Sequence, residues 1–283
     1  LGAVELRDQL QRAVGEGTTL SSTLMFDHPT ARQVALHMQG SSQVASGAAR
    51  GGAPARGDAK LASGGNVVAT GTSVALPMGV VMTTALREMS HCGKDLLRVI
   101  PSCRWDVEEA ARDLRGSPPE VASRARHGGF LCDAELFEHS SFRISAAEAS
   151  AMDPQQRQLL EQGYAALHAG GLTRGSLLGA VVGVGVGQWQ SDFGVVLLQM
   201  PAGRGVYAST GFSCSVTCGR VSFTLGLHGP CATFDTACSA SLVANHSTSR
   251  ALQRFECDEA LAAGVNMILD PGAMRGNAVA GFT

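Results

Sequence analysis

The sequence predicts an α/β fold, and two observations carry that prediction. From Asn66 onward, short apolar runs typical of strands alternate with stretches of helical periodicity, which is the pattern of a sheet covered by helices. The chain of 283 residues has 35 glycines and only 5% aromatic residues. This composition favours a core of Ala, Val and Leu in which backbones pack closely.

The first part of the chain, residues 1–39, predicts a helical hairpin. Thr30 and Gln33 have the spacing of a capping box, which predicts a second, short helix running through Met38. The inner side of that helix is predicted to be Val34, Ala35 and Met38. The first helix has an apolar stripe on one face, formed by Val4, Leu6, Leu10 and Val14.

The second part, residues 40–65, predicts a flexible linker. Of its 26 positions, 18 are Gly, Ala or Ser, and none is aromatic. Such a segment cannot bury enough apolar surface to offset the entropy that ordering would cost. As a flexible coil, its ends would lie roughly 28 Å apart.

The third part, residues 66–283, holds the predicted strands and helices of the α/β domain. An opening strand region is expected over Val67 to Pro77, and Asp153 followed by Pro154 predicts a helix start. The run Leu177 to Gly187 is too short to span a bilayer and predicts a buried strand. Its glycines at 183, 185 and 187 lack the spacing of a dinucleotide loop, so they are interpreted as points where backbones crowd.

The stretch Gly229 to Ala244 places a cysteine between a strand and a helix. Ala232 to Asp235 predict a short strand, small residues predict a tight turn, and a helix is expected to begin near Ser239. Cys238 lies at the junction, where free N–H groups and the helix dipole favour a thiolate. The residues alone leave two interpretations: a nucleophile with room for a bulky substrate, or a buried core cysteine.

The segment Asp235 to Ser241 resembles the active-site signature of β-ketoacyl synthases, specifically those of polyketide synthases. The resemblance covers roughly residues 66–283 and implies that Cys238 is the nucleophile that accepts an acyl chain. It also implies that the N–H of Cys238 helps to stabilise the oxyanion. Further stretches resemble the family in the same order: Val67 to Val80, Arg104 to Val107, Gly128 to Leu131, Met152 to Arg157, Gly219 to Ser222 and Glu256 to Val265.

The same resemblance implies a thiolase-like fold with αβαβα layers, of which this chain supplies the first half. Members of the family are homodimers that condense the acyl chain with a malonyl-type thioester held on an acyl carrier protein domain. Two histidines in downstream motifs promote the decarboxylation, and none of the eight histidines here matches either motif. The catalytic machinery is therefore expected to be incomplete in this chain, which should not form a carbon–carbon bond alone.

Residues 1–39 resemble the second half of an acyl carrier protein domain, through Leu1 to Arg7 and Thr23 to Thr30. In that family, the serine that bears phosphopantetheine immediately precedes the position matching Leu1. The cofactor is therefore expected on the complete protein and not on this stretch. A carrier, a linker and then a ketosynthase is the order expected across a module boundary of a modular (type I) polyketide synthase.

Several histidines and further cysteines are alternative candidates for site residues. His246 lies eight residues after Cys238, about 12 Å along a helix, which is too far for a direct hydrogen bond. His228 could lie near the lower end of the strand, and His127 is expected in a loop or on the surface. A zinc site can be drawn from Cys214, Cys218, His228 and Cys231, but the spacing is unlike common zinc patterns and no metal is expected.

Charge and cysteine spacing exclude several classes of function. A net charge of −2 and a pI of about 6.5 do not give the excess of positive charge that binding to nucleic acid or to an anionic membrane requires. No signal peptide is visible, and the eight cysteines lack the spacing of a disulfide framework. A reactive thiol needs reducing surroundings, so a cytoplasmic setting is expected, with an organelle as the alternative.

Two alternative functions remain open from the sequence. The first is a non-catalytic, truncated fragment that serves in docking or interaction. The second is a cysteine hydrolase that uses Cys238 directly, which the lack of a histidine within hydrogen-bond range on any local motif weakens.

Overall fold

The computed structural model describes residues 10–13, 20–21, 24, 34–35, 65–112, 114–189 and 191–282. It divides into two compact units, Leu1–Asn66 with Gln253–Glu256, and Val67–Leu252 with Cys257–Thr283. The predicted linker, apart from Gly65, lies outside the described residues, as do the predicted capping box and Met38. No helix in the described ranges combines the length and the apolar character that crossing a bilayer requires.

In the first unit, residues 10–13 are helical, and a small buried cluster forms from Leu20, Leu24 and Val34. Leu10 packs partly buried against this cluster. Val34 is buried, as predicted, whereas Ala35 is exposed, so the prediction of an inner position was wrong for Ala35. One residue advances a helix by about 100°, which turns Ala35 away from the side on which Val34 packs.

The second unit is an α/β fold, as predicted. Its strands are β1 Arg98–Val99, β2 His127–Gly128, β3 Val182–Gln188, β4 Cys231–Phe234 and β5 Glu259–Val265. Its α-helices are α1 Thr83–Cys92, α2 Val107–Arg112, α3 Pro119–Arg124, α4 Ala146–Ala151, α5 Pro154–Ala169, α6 Arg174–Leu177, α7 Phe193–Gln199, α8 Ala208–Gly211, α9 Cys214–Leu225, α10 Ala240–Gln253 and α11 Pro271–Ala280.

A parallel sheet of order β4-β3-β5 forms the centre of this unit, with helices on both faces. Along β3, valines alternate with glycines. Val182, Val184 and Val186 are buried in a core shared with apolar side chains of α5 and α9. The glycines face the other way, and a Cβ added at Gly185 would lie 2.6 Å from the Thr248 side chain of α10. The result is a three-layered arrangement with α10 lying close to the sheet.

The boundaries of two predicted strands need correction. The run Leu177 to Gly187 is not one strand, because Leu177 ends α6 and β3 begins only at Val182. A capping box between Thr173 and Ser176 starts α6, and Gly179 adopts a left-handed φ of 79° that separates the helix from the strand. The strand predicted over Ala232 to Asp235 is β4, which begins one residue earlier and ends at Phe234.

The opening strand predicted over Val67 to Pro77 was wrong. The segment is not part of the sheet. Within the described residues, its β-type pairing is limited to one isolated bridge, between Leu76 and Val80. It lies instead along α5: the Ser73 hydroxyl donates to Gln162 Oε1 at 2.5 Å. Gly71 also approaches the end of α5 so closely that a Cβ there would lie 2.2 Å from the Ala166 carbonyl oxygen.

A second, smaller ladder pairs β1 with β2 in antiparallel fashion. Beside it, Ile100, Phe130 and Met274 form a buried cluster. Trp105 packs edge-on against Phe130 with ring centroids 6.1 Å apart, which anchors the segment before α2 to this cluster.

Candidate active site

Cys238 lies in a 3-10 turn, Ala237–Ser239, that joins β4 directly to α10. The predicted strand–turn–helix arrangement is therefore confirmed, with the α-helix beginning at Ala240. The Cys238 side chain is exposed, which contradicts the alternative of a buried core cysteine. Its neighbours Ala237, Ser239 and Ala240 are small, so a bulky molecule can approach the sulfur.

The turn is held by hydrogen bonds from its own residues. Asp235 Oδ1 accepts from the Ala237 N–H at 3.1 Å. The Ser239 hydroxyl contacts Thr236, at 2.8 Å from the carbonyl oxygen and 2.9 Å from Oγ1. Ala237 has a φ of 52°, a left-handed conformation that non-glycine residues rarely adopt. The left-handed residue immediately before Cys238 turns the chain from β4 towards α10, and the Cys238 thiol is exposed on this turn.

Two glycines on neighbouring strands let α10 approach the sheet. Gly187 of β3 and Gly264 of β5 are paired in register. A Cβ on Gly187 would lie 2.3 Å from the Ser241 amide nitrogen, and one on Gly264 would lie 2.1 Å from the Ser241 hydroxyl oxygen. The first turn of α10 therefore packs directly against the backbone of β3 and β5 at these two glycines. The interpretation of Gly187 as a point of backbone crowding is confirmed.

Gly187→Ala is expected to destabilise the fold by about 1–3 kcal/mol or more, because the added methyl group overlaps helix backbone that cannot rotate away. Urea unfolding measures the loss. Gly219→Ala in α9 is the matched control, since its Cβ would meet no atom within 4 Å. Alanine should be neutral or favourable there. Equal destabilisation by both substitutions would contradict the close approach of α10.

A buried polar cluster lies at the carboxyl ends of β3 and β5. Asp153, which is 0% exposed, caps α5 by accepting from the Gln155 N–H at 2.7 Å. Its other oxygen accepts from the Ser191 hydroxyl, in the segment after β3. Gln155 Oε1 accepts from the Met267 N–H, after β5, at 3.2 Å. The predicted helix start is confirmed. Through Asp153 and Gln155, the start of α5 is hydrogen-bonded to the segments that follow β3 and β5.

Burial raises the pKa of the Asp153 carboxyl above its ordinary value, although hydrogen bonds from Ser191 and Gln155 oppose the shift. The folded state therefore holds this proton at a pH where the unfolded state has lost it. The contribution of Asp153 to folding stability falls as pH rises from the unfolded pKa through the raised folded pKa.

Asp153→Asn is expected to remove the pH dependence that Asp153 gives to the free energy of unfolding. As pH rises from the unfolded pKa of Asp153 through its raised folded pKa, the unsubstituted chain loses stability, so the variant becomes more stable relative to it. Asparagine can still accept the capping hydrogen bond. Urea midpoints measured from mildly acidic to neutral pH provide the test. Asp106→Asn is the control, because Asp106 caps a helix in the same way but is exposed. Parallel pH profiles for Asp153→Asn and the unsubstituted chain would contradict the assignment.

Cys214, the first residue of α9, is half-buried near the same edge. Burial raises the pKa of its thiol, and the negative charges of Asp235 and Asp153 raise it further. Cys218 is buried in α9, whereas Cys231 and His228 are exposed. Within the described ranges, no group of three or more His, Cys, Asp or Glu side chains is arranged to hold a metal ion.

The histidines considered from the sequence lie apart from the turn. His246 is on α10, two turns after Cys238, and its side chain is exposed. His127 is exposed, as expected, but belongs to β2 and not to a loop. The backbone N–H of His228 donates to the Ala180 carbonyl oxygen at 2.8 Å. The two residues lie shortly before β4 and β3, respectively. His28 and His37 lie outside the described residues.

The sequence does not predict the burial of two polar side chains, those of Gln188 and Arg220. Gln188, the last residue of β3, is 1% exposed, and neither polar atom of its amide has a hydrogen-bond partner among the described residues. Arg220 of α9 donates from Nε to Gln156 Oε1 at 2.8 Å and forms an ion pair with Glu148. The only sequence signals were a polar residue ending an apolar strand and a charge within an otherwise uncharged helix.

Residues 65–283 match the family described as "Beta-ketoacyl synthase, N-terminal domain". The chain belongs to the β-ketoacyl synthase family. It is 38% identical over 273 residues to polyketide synthase GfsE of Streptomyces halstedii, covering 96% of this chain and 7% of that protein. It is 41% identical over 278 residues to polyketide synthase GfsB of the same organism, covering 96% and 5%. The chain thus spans a small part of these relatives.

Solved β-ketoacyl synthase structures have the same fold. The ketosynthase from module 6 of the bacillaene synthase of Bacillus subtilis 168 has a TM-score of 0.64 at 31% identity, covering 75% of this chain and 34% of that one. The oxazolomycin ketosynthase domain of Streptomyces albus has a TM-score of 0.65 at 30% identity, covering 76% and 37%. The expected thiolase-like ketosynthase fold is confirmed.

Proposed function

We propose that this chain is part of a modular polyketide synthase in which Cys238 accepts an acyl chain for condensation with a malonyl-type thioester. The observation that carries the proposal is the exposed thiol of Cys238 on a fixed turn at the start of α10. Membership of the β-ketoacyl synthase family and the similarity to polyketide synthases support it.

In the first half-reaction, the Cys238 thiolate attacks the carbonyl carbon of an acyl thioester. Negative charge then develops on the carbonyl oxygen, and backbone N–H groups can stabilise it, that of Cys238 among them. Collapse of the tetrahedral intermediate expels the donor thiol and leaves the acyl group on sulfur. The position of Cys238 suits this step, because its thiol is exposed on the turn that precedes α10 and an incoming thioester can reach the sulfur.

In the second half-reaction, loss of carbon dioxide from the malonyl-type thioester generates an enolate that attacks the acyl carbonyl carbon on Cys238. A carbon–carbon bond forms, the bond between that carbon and the Cys238 sulfur breaks, and the Cys238 thiolate is released. We propose that histidines elsewhere in the complete synthase assist this step. Among the described histidines, His246 shares the helix that follows Cys238, and its position two turns away does not suit direct proton transfer.

The partners proposed for the complete protein are acyl carrier protein domains, which deliver both thioesters on a phosphopantetheine arm, and a second copy of the synthase in a homodimer. Residues 1–39 are proposed to be part of such a carrier domain, and residues 40–65 its linker to the ketosynthase region. A linker of this kind keeps the carrier at high local concentration while leaving its orientation free.

Acyl transfer tests the proposal. The chain is incubated with a small acyl thioester, digested, and searched by mass spectrometry for acylated cysteine. The acyl group is expected on the peptide that contains Cys238 and on no other cysteine. Acylation of exposed Cys132 or Cys231 in preference to Cys238 would contradict the assignment of the nucleophile.

A second assay separates a condensing enzyme from a docking fragment. Acyl and malonyl thioesters are supplied to the complete synthase and to residues 1–283 alone. The complete protein should form a β-ketoacyl product, and the chain alone should stop at the acyl-enzyme. Product from the chain alone would locate the acid–base groups within it, whereas no product from the complete protein would favour the docking role.

A further inference from the structure

Gln188, the last residue of β3, carries a buried amide to which the condensation chemistry gives no role. The residue is 1% exposed, and neither its amide nitrogen nor its amide oxygen has a hydrogen-bond partner in the part of the chain that the structure describes. Five buried side-chain polar atoms lack a partner in this part, and two of the five belong to Gln188. An unpaired buried polar atom costs free energy, which an apolar side chain of the same shape would avoid. The amide is therefore better explained by a ligand than by folding.

The register of the sheet places Gln188 beside the turn that carries Cys238. Strands β3 and β4 are parallel, and their last pair is Gly187 with Phe234. The next residues, Gln188 and Asp235, therefore leave the ladder side by side, about 5 Å apart. Asp235 holds the turn, because its carboxylate accepts a backbone N–H from within it.

Only a short distance separates the buried amide from the exposed thiol. Along β3, Val186 packs into the core shared with α9 and Gly187 faces α10, so the Gln188 side chain points to the α9 side of the sheet. Asp235 and Cys238 are both exposed. Cys238 follows Asp235 by three residues, which span at most about 10 Å. The Gln188 side chain and an acyl chain of a few carbons on the Cys238 sulfur together cover this distance.

We propose that the Gln188 amide binds a hydroxyl group on the acyl chain that Cys238 carries, so that Gln188 selects hydroxylated acyl thioesters. This inference rests on the proposed function of Cys238. An amide has donors at Nε2 and an acceptor at Oε1, and a hydroxyl group can satisfy both atoms at once. A carbonyl oxygen on the chain would satisfy Nε2 alone, and a saturated chain would satisfy neither atom. A carboxylate does not suit the site, because burial of an unpaired charge is costly.

Condensation itself places oxygen on such chains. When an enolate attacks an acyl carbonyl carbon, that carbonyl becomes the third carbon of the product thioester. A second condensation moves this oxygen to the fifth carbon and adds a new one at the third. A hydroxyl group at either carbon is the reduced form of that carbonyl. The acyl chains that Gln188 is proposed to select therefore carry a hydroxyl group on the third or the fifth carbon.

The test compares matched acyl thioesters on the chain of residues 1–283. One pair is 3-hydroxybutanoyl and butanoyl, the other is 5-hydroxyhexanoyl and hexanoyl, and all four are supplied as N-acetylcysteamine thioesters. Mass spectrometry follows the rate of acylation, and peptide mapping locates the acyl group on Cys238. In at least one pair, the hydroxylated member should react about tenfold faster or more, since the buried amide gains a partner. Gln188→Met, which keeps the length of the side chain without its polar atoms, should bring this ratio close to one.

Gln199→Met is the matched control, because Gln199 ends α7, in the segment that follows β3, and is exposed. This variant should keep the preference of the unsubstituted chain. Gln188→Met should unfold at the same urea concentration as the unsubstituted chain or at a higher one, because it buries no unpaired polar atom.

The outcomes separate this inference from the proposed function. Ratios near one in both pairs for the unsubstituted chain, or a preference that survives in Gln188→Met, would overturn the role of Gln188 and leave Cys238 as the nucleophile. If none of the four thioesters acylated Cys238, the proposed function would fail, and the selection by Gln188 would fail with it.

Discussion

Cys238→Ala is expected to abolish acyl transfer onto the chain, with a fall in rate on the order of 10⁶-fold, as when another covalent enzyme loses its nucleophile. Alanine keeps the turn intact, because the hydrogen bonds that hold it come from Asp235, Thr236 and Ser239 and not from the thiol. Only the group that forms the covalent bond is lost. The acylation rate with a small acyl thioester measures the effect.

Cys132→Ala is the matched control for this substitution. Cys132 is also exposed, but it lies in another segment, well before β3 in the chain. Its variant should acylate at the unsubstituted rate. Retention of acylation in the Cys238→Ala chain, with an unchanged circular dichroism spectrum, would show that another residue is the acceptor.

Arg220→Met is expected to lower the free energy of unfolding by about 3–5 kcal/mol, the usual result of removing one partner from a buried ion pair. The Arg220 side chain is 8% exposed and that of Glu148 is 25% exposed. Without the guanidinium, Glu148 keeps a partly buried charge, and Gln156 Oε1 loses its donor in a fully buried position. Urea unfolding at neutral pH gives the value.

Arg126→Met provides the comparison, because Arg126 also forms an arginine–glutamate pair but at the surface. It contacts both oxygens of Glu108, at 2.6 and 3.0 Å, with side chains that are 39% and 72% exposed. Exposed pairs of this kind contribute little, since water already solvates both charges. If Arg126→Met destabilised the chain as much as Arg220→Met, burial would not be the cause of the larger effect.

The sequence predicted the parts of the site that depend on local order. The junction at Cys238 could be predicted because a short strand, a turn of small residues and a helix follow one another within a few positions. The helix start at Asp153 and Pro154 is equally local. The apolar run Leu177 to Gly187 indicated β3, although the capping box at Thr173 and the turn at Gly179 shorten the strand at its start.

The rest depends on contacts between distant segments, which periodicity does not reveal. The segment around Gly71 had the composition of a strand, but its packing against α5 took it out of the sheet. Arg220 pairs with Glu148 across 72 positions, and Asp153 accepts from Ser191 across 38. Gln188 is 1% exposed, although it is the polar last residue of β3.

The position of β4 at the margin of the sheet has a practical consequence for work with the isolated chain. Within the described residues, β4 pairs with β3 on one side, and its first two residues, Cys231 and Ala232, are exposed. An unpaired strand margin is a template onto which another polypeptide can add, and this is a common route to aggregation. Concentrated preparations are therefore at risk of precipitating through this margin while the rest of the protein remains folded.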